Sequence, residues 1–308
     1  MTKTLLISNQ HKDYTGGGSY VMMVLNILKK HYRIVTFDHT TYYVNPQTPF
    51  ALAADDIELA NSSMDFDLHL YADYRGWTQP LGNTNIQLIY YPIEKNVTGW
   101  NNFFCLNQFC LTQTQNLYQG KSSIISPYFN QNKFYILPKK NQVINVGQYF
   151  YEQDGHSKNQ HLVIEWFKNQ SQFETLILHG KIVSDNYYSY LKTLTQNDPR
   201  IILKGNKSSD EIKLDLAESL IMVHAIGYGR TNPAQTEHFG LVAVEALLSG
   251  CQPYVHDSGG CKDLDGVMVY QTFREISTPN LSPMELRKKA SVYNIDNTES
   301  QLLQAINE

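Results

Sequence analysis

Glu237 and Glu245 stand eight residues apart in TEHFGLVAVEALLSG, with His238, Phe239, Gly240 and Leu241 following the first of them. The apolar residues after Gly240 fall at helical spacing. A helix is therefore expected to begin there, with Glu237 in the loop before it and Glu245 about a turn and a half inside. The first turn of a helix offers backbone N–H groups without partners inside the helix, and its dipole favours negative charge. Such amides with a carboxylate on either side suit a diphosphate that carries a sugar on one arm and a ribose on the other. The plainer reading is two solvated carboxylates near a helix start.

Two further groups point the same way. Lys158, in QYFYEQDGHSKNQ, follows the apolar run VINVG and precedes a helical pattern, where it can meet a phosphate as a point charge. A lone solvated lysine is the alternative. Gly16, Gly17 and Gly18 precede SYVMMVLNILKKHY, so a backbone without Cβ atoms is expected to approach an anion at a helix start. A structural glycine loop is the plain alternative. The same glycines allow a dinucleotide reading, Gly16-x-Gly18-x-x-Val21 with Asp38 twenty residues after Gly18. There the third small residue is missing, and the stretch from Ser8 to Gly16 is long for a tight turn.

These groups need elements to hold them. TLLIS, RIVTFD, DFDLHLYAD, NIQLIYYP, residues 104–111 and KSSIISPYF read as strands, and residues 40–65 are poorly patterned. NQNKFYILPKKN marks a boundary, placed at 138/139. Beyond it, strands and helices alternate as VINVGQYF, KNQHLVIEWFKNQ, ETLILHG, NYYSYLKTLTQ, RIILKG, SDEIKLDLAESL, IMVHAI, GLVAVEALLSG, QPYVHD and VMVY, with a short helix start at CKDLD. Such βα units imply a doubly wound parallel sheet with its ligand-binding loops along the C-terminal strand edge. The chain thus reads as α/β, with two Rossmann-like domains, 1–138 and 139–308. The first is expected to lack some strands or helices.

Composition narrows the choice. The 308 residues carry a net charge of −4, and only 18% are charged. That excludes a protein whose main task is to coat nucleic acid. Cys105, Cys110, Cys251 and Cys261 contain no Cys-x-x-Cys pair, so free thiols are expected rather than zinc or a disulfide framework. No leader and no membrane span are read from the sequence, so a cytoplasmic protein is expected. Lys29, Lys30, His31 and Arg33 form a short basic cluster, either a helix end or a weak contact with the inner membrane surface. GWNNFF, with Trp100, Phe103 and Phe104, is either core or a surface for sugar or lipid.

GYGRTNPAQTEHFGLVAVEALLSGCQPYVHDSGG resembles the donor-binding motif of glycosyltransferase family 4, of the GT-B fold. INVGQYFYEQDGHSKNQHLVIEWFK is similar to the opening of that family's C-terminal domain, and GGGSYVMMVLNILKKH to its first glycine loop and helix. The resemblance is strong over residues 143–262 and weaker over about sixty others. It implies two Rossmann-like domains facing a cleft and retaining transfer from a nucleotide-activated sugar without a metal or other cofactor. By resemblance, Glu237 contacts sugar hydroxyls. Phe239, Gly240 and Leu241, next to His238, offer backbone to the diphosphate, and Glu245 holds the ribose. Lys158 stabilises the leaving phosphate, Gly16, Gly17 and Gly18 close over it, and Asn206 and Lys207 frame the base. The implied acceptor is a glycan, a lipid-linked glycan or a small molecule.

Gln148 departs from the family, which usually carries an arginine there; His156 or Lys158 is a candidate to compensate. For the histidine that the family often places near the reacting sugar, the sequence offers His11, Asp73, Tyr91 and Glu94 without a decision among them. A catalytically idle GT-B protein that binds a nucleotide, glycan or partner is the competing reading. An NAD(P) oxidoreductase is the third.

Overall fold

The computed structural model describes residues 2–9, 16–37, 43–44, 50–72, 79–91, 99–100, 102–117, 120–152 and 157–308. The chain forms two compact units, Met1–Tyr128 with Tyr293–Glu308, and Phe129–Val292.

The first unit is built on strands β1 (Lys3–Asn9), β2 (Tyr32–Thr36), β3 (Ile57–Leu59), β4 (Phe66–Ala72), β5 (Gly82–Ile89), β6 (Asn102–Cys105) and β7 (Lys121–Ile124). They make one parallel sheet in the order β3-β2-β1-β4-β5-β6-β7. A parallel sheet is covered on both faces, and Leu5, Leu6 and Ile7 of β1 are accordingly fully buried. Helix α1 spans Gly16–Leu28 and α2 spans Gln108–Thr114.

The sheet has seven strands among the described residues, one of them, β3, in the stretch read as poorly patterned. Two other expectations change in this unit. Residues 104–111 are not one strand: Asn107 accepts the Cys110 N–H at 2.9 Å, and this side-chain cap turns the apolar run into α2. The three glycines do not precede the helix but form its first turn. There Gly17 is required sterically, since a Cβ would sit 2.5 Å from the Tyr90 ring.

Packing settles one surface reading and bears on another. Trp100, Phe103 and Phe104 are buried, and Trp100 stacks on Tyr71 with centroids 5.3 Å apart, so these three aromatic side chains are core. The basic cluster is matched by carboxylates: Lys29 meets Asp56 at 2.8 Å, Lys30 and His31 meet Glu299 at 2.6 and 2.9 Å, and Arg33 Nε meets Glu58 at 2.9 Å. It is an ion-pair network rather than a bare basic patch. No described helix is long and apolar enough to cross a membrane.

The second unit carries β8 (Lys140–Val146), β9 (Thr175–Gly180), β10 (Ile201–Gly205), β11 (Ser219–His224), β12 (Gln252–His256) and β13 (Met268–Tyr270). Their order is β10-β9-β8-β11-β12-β13, with every pairing parallel. Helices α3 (Gln160–Lys168), α4 (Asp185–Thr195), α5 (Ser209–Glu218), α6 (Leu241–Leu248) and α7 (Pro283–Ala290) belong to it, and α8 (Ile295–Asn307) to the first unit. Val143, Val163, Ile164, Phe167, Leu178 and Val223 form the centre of its core. Short polar caps start the helices: Ser208 and Glu211 make a reciprocal capping box at α5, and Ser282 and Glu285 another at α7. Lys139 closes two helix ends, donating to the Ala217 and Ser249 carbonyls at 2.7 Å each.

The division between the units differs from the expected 138/139. Arg287 donates to the carbonyls of Gln131 at 2.8 Å and Phe134 at 3.1 Å, tying that segment to the second unit. At the other end, Thr298 Oγ1 donates to the Ser126 carbonyl at 2.9 Å and Gln301 accepts the Ser126 N–H at 3.2 Å, so α8 packs with the first unit.

Candidate active site

Strand order in the second unit reverses between β8 and β11. Chains leave these adjacent strands in opposite directions, which opens a crevice beyond their C-terminal ends. Lys158 comes from the segment after β8, and Glu237 from the segment after β11.

Buried polar side chains build the Lys158 segment. Ser157, Asn159 and Gln160 are all nearly inaccessible. Gln160 Nε2 donates to the carbonyls of Gly147 and Gln148 at 3.0 Å each, fixing the backbone as it leaves β8. Asn159 Nδ2 donates to the Ala225 carbonyl at 2.8 Å and so joins the segments after β8 and β11. The lysine between these residues is aimed by its neighbours: Lys158 Nζ lies 3.4 Å from Glu237 Oε2.

Glu237 is held on both oxygens. His224 Nε2, at the end of β11, is 3.3 Å from Oε2, and the Gly240 N–H donates to Oε1 at 3.2 Å. The Glu237 carbonyl accepts the Gly260 N–H at 2.8 Å. Burial works against the charge on this carboxyl, but Lys158, then His224 and His238, outweigh it and hold it well below the ordinary glutamate range. Glu237 is therefore an ionised, pure hydrogen-bond acceptor at neutral pH. Gly240 caps α6 at φ 88°, and a Cβ there would lie 2.2 Å from Cys261 Sγ, so both its conformation and its space demand glycine. That turn leaves the N–H groups of Leu241 and Val242, at the first turn of α6, without carbonyl partners inside the helix.

Glu245, the fifth residue of α6, is half-buried, and among the described residues its carboxylate makes no hydrogen bond or ion pair. Burial pushes its carboxyl up to about 7, with Lys213 opposing. The group then binds its proton more tightly folded than unfolded. Its stabilising effect is complete below the ordinary value of 4.5 and is lost as pH rises to about 7. The Glu245→Gln variant is expected to gain stability over the wild type across that window, by up to about 3 kcal/mol, and to hold a constant advantage above it. Denaturant melts without nucleotide from pH 4 to 8 check this; parallel curves would refute it.

The remaining predicted residues fall as follows. Gln148 is half-buried beside the Lys158 segment. His238 Nε2 lies 3.2 Å from the Pro233 carbonyl, Phe239 is buried, and Leu241 opens α6. Asn206, at the end of β10, accepts the Ile182 N–H at 2.8 Å, and Lys207 pairs with Glu211 at 3.1 Å on the surface. Gly16, Gly17 and Gly18 lie on the first unit and are described above. His11, Asp38, Asp73, Glu94 and His156 lie outside the described residues. Among those described, no group of three or more His, Cys, Asp or Glu side chains is arranged to hold a metal ion.

Sequence reasoning missed three positioning residues. His224 closes an apolar strand, and its only signal is a polar residue at the ligand edge of a parallel sheet. Asn159 and Gln160 read as a polar helix start, which they are, but their side chains serve the crevice. Two other features are not part of it. A groove of about 570 Å³ runs along α3, lined by Trp166, Tyr228, Phe273 and Arg274 among others, and none of the predicted site residues lines it. In the first unit, the Leu81 N–H donates to His69 Nδ1 at 3.2 Å, so the ring proton sits on Nε2 and points at Ser8 Oγ, 2.9 Å away. With burial pushing His69 down to about 4, this pair is a structural bond rather than a nucleophile and its base.

Residues 129–266 match the family model described as Glycosyl transferases group 1. Anabaena Alr3699/HepE, solved in complex with UDP, superposes with a TM-score of 0.71 at 13% identity, covering 99% of both chains. The chain has the GT-B fold. Other GT-B structures agree: the lipopolysaccharide outer core galactosyltransferase WaaB in apo form gives 0.70 at 10% identity over 99% of both chains. Sucrose-phosphate synthase from Thermosynechococcus elongatus gives 0.70 at 14% identity over 99% of this chain and 98% of its own. No curated protein sequence matches the chain.

Proposed function

We propose that the chain is a retaining, metal-independent glycosyltransferase of the family 4 type, acting in the cytoplasm on a nucleoside-diphosphate sugar and a glycan acceptor. The observation that carries this reading is the Glu237 carboxylate, held ionised at the switch point by Lys158, His224 and the Gly240 N–H. Donor-sugar hydroxyls would donate to Glu237. The diphosphate would lie on the first-turn amides of α6 and against Lys158, and the ribose hydroxyls on Glu245. Transfer breaks the bond from the anomeric carbon to the phosphate oxygen and forms one to the acceptor oxygen on the same face. The acceptor proton goes to the departing phosphate. Lys158 and the amides offset the charge that grows there, a contribution that needs no metal ion. Asn206, with Lys207 beside it, stands at the end of β10 where a base would lie.

A shift in melting temperature with nucleotides tests the reading. The Anabaena relative was solved with UDP, so UDP and its sugars come first, followed by GDP, ADP, their sugars and NAD(P). A ligand at about 100 times its dissociation constant adds roughly 2.7 kcal/mol. Stabilisation by one nucleoside diphosphate and its sugar is the expected result; stabilisation by NAD(P) alone, or by nothing, would overturn it. Gln148, which leaves the site one cation short, favours the second reading of an idle GT-B protein. Donor binding without transfer or hydrolysis would support that alternative.

A further inference from the structure

The second unit carries an aromatic surface that the donor chemistry does not use. Tyr151, after β8, is 51% exposed, and Tyr190, on α4, is 46% exposed. His161, at the start of α3, and buried Tyr187 stand against both. Ring centroids are 5.8 Å apart for Tyr151 and Tyr187, and 6.3 Å for Tyr187 and Tyr190. His161 lies 6.2 Å from Tyr151 and 6.4 Å from Tyr190. A single exposed aromatic needs no explanation. Here two exposed rings are braced by two inner ones, and the inner pair is itself pinned. The Tyr187 hydroxyl donates to Gln160 Oε1 at 3.3 Å and lies 3.0 Å from His161 Nδ1.

We infer that this cluster is a carbohydrate platform, on which pyranose rings of the acceptor glycan lie against Tyr151 and Tyr190. Both outer tyrosines are about half exposed, and an aromatic face can take the C–H face of a sugar while phenol and imidazole edges meet its hydroxyls. Burial holds His161 below the ordinary histidine range and favours its uncharged form, which fits a neutral sugar rather than an anion. The platform is continuous with the donor crevice: Tyr151 bridges Ser157, whose hydroxyl donates to Tyr187 at 3.4 Å, and Lys158 follows. That the bound sugar is an acceptor rests on the glycosyltransferase reading; the carbohydrate contact does not.

Saturation-transfer NMR on the full chain without nucleotide tests it, with cellotetraose, maltotetraose and chitotetraose as probes at tens of millimolar. Transfer to the C–H protons of at least one probe is expected. Tyr151→Ala and Tyr190→Ala should each weaken binding about tenfold, the worth of one ring stack, while the Phe variants keep it. The UDP melting shift should be unchanged in all four. No transfer from any probe, equal binding by the Ala variants, or self-association of the wild type abolished by them would overturn the platform. Loss of the UDP shift in the Ala variants would also overturn it, making the rings a brace for Lys158. Sugar binding lost in the Ala variants, with no UDP shift in the wild type, would keep the platform and sink the donor reading.

Discussion

Glu237→Gln is expected to lower transfer by about 10²- to 10³-fold with the fold intact, the usual cost of one preorganised electrostatic group. The amide keeps one oxygen for the Gly240 N–H, so the turn into α6 survives. It cannot accept from His224, Lys158 and sugar hydroxyls together, and it presents N–H groups where the donor sugar also donates. Because the carboxyl is held well below the ordinary range by Lys158 and the histidines, the wild type stays ionised throughout the neutral range. The loss in the variant should therefore be the same at pH 6 and pH 8. Glu237→Ala should lose as much activity and also some stability, since Lys158 and buried His224 then face each other without a carboxylate. Initial rates at saturating donor, with melting temperatures alongside, decide the matter. Turnover near wild type in a folded Gln variant would remove Glu237 from the reaction.

How far this site was legible depends on which forces write it. VINV, LILH, IILKG and LIMVH are short apolar runs between helical patterns, and parallel strands buried on both faces have to look like that. Their sequence order alone places the segments after them at one edge. The element β3 is only Ile57–Leu59, with Glu58 and Leu59 exposed, so no alternation is long enough to register. The helix α2 is masked because its apolar residues continue those of β6, and only the Asn107 cap separates the two. After VMVY the sequence reading assigns no element, yet α7 and α8 form there. They are largely polar helices that bury little beyond Leu286, Ala290, Thr298, Leu302 and Ala305.

The candidate site divides in the same way. Glu237, Gly240 and Glu245 were readable because one helix start and its loop fix them locally. His224 was not, since its partner lies thirteen residues away across a loop and nothing in IMVHAI announces a contact with a carboxylate. Asn159 was missed for a related reason. It occupies the left-handed region at φ 57° and anchors the Ala225 carbonyl, a pairing created only when β8 and β11 become neighbours.

Lys158→Met should match the Glu237 variant in size, about 10²- to 10³-fold in transfer, but with a different signature. On the proposed reading, the charge that grows on the leaving diphosphate loses its point cation, and Gln148 supplies no second one. Binding of the nucleoside diphosphate should weaken together with turnover, whereas Glu237→Gln should leave the free diphosphate's affinity close to wild type. Lys158→Arg should restore affinity more than rate, because a planar fork reaches a phosphate but cannot reproduce the 3.4 Å contact with Glu237 from the same backbone. The two residues touch, so their effects should not multiply: in the double variant the loss should fall short of the product by about tenfold, a coupling of roughly 1.4 kcal/mol. Titration calorimetry with UDP and initial rates over the four-member cycle measure both quantities. Full multiplicativity would mean that the ion pair in the ligand-free chain is incidental and that each side chain meets the donor independently.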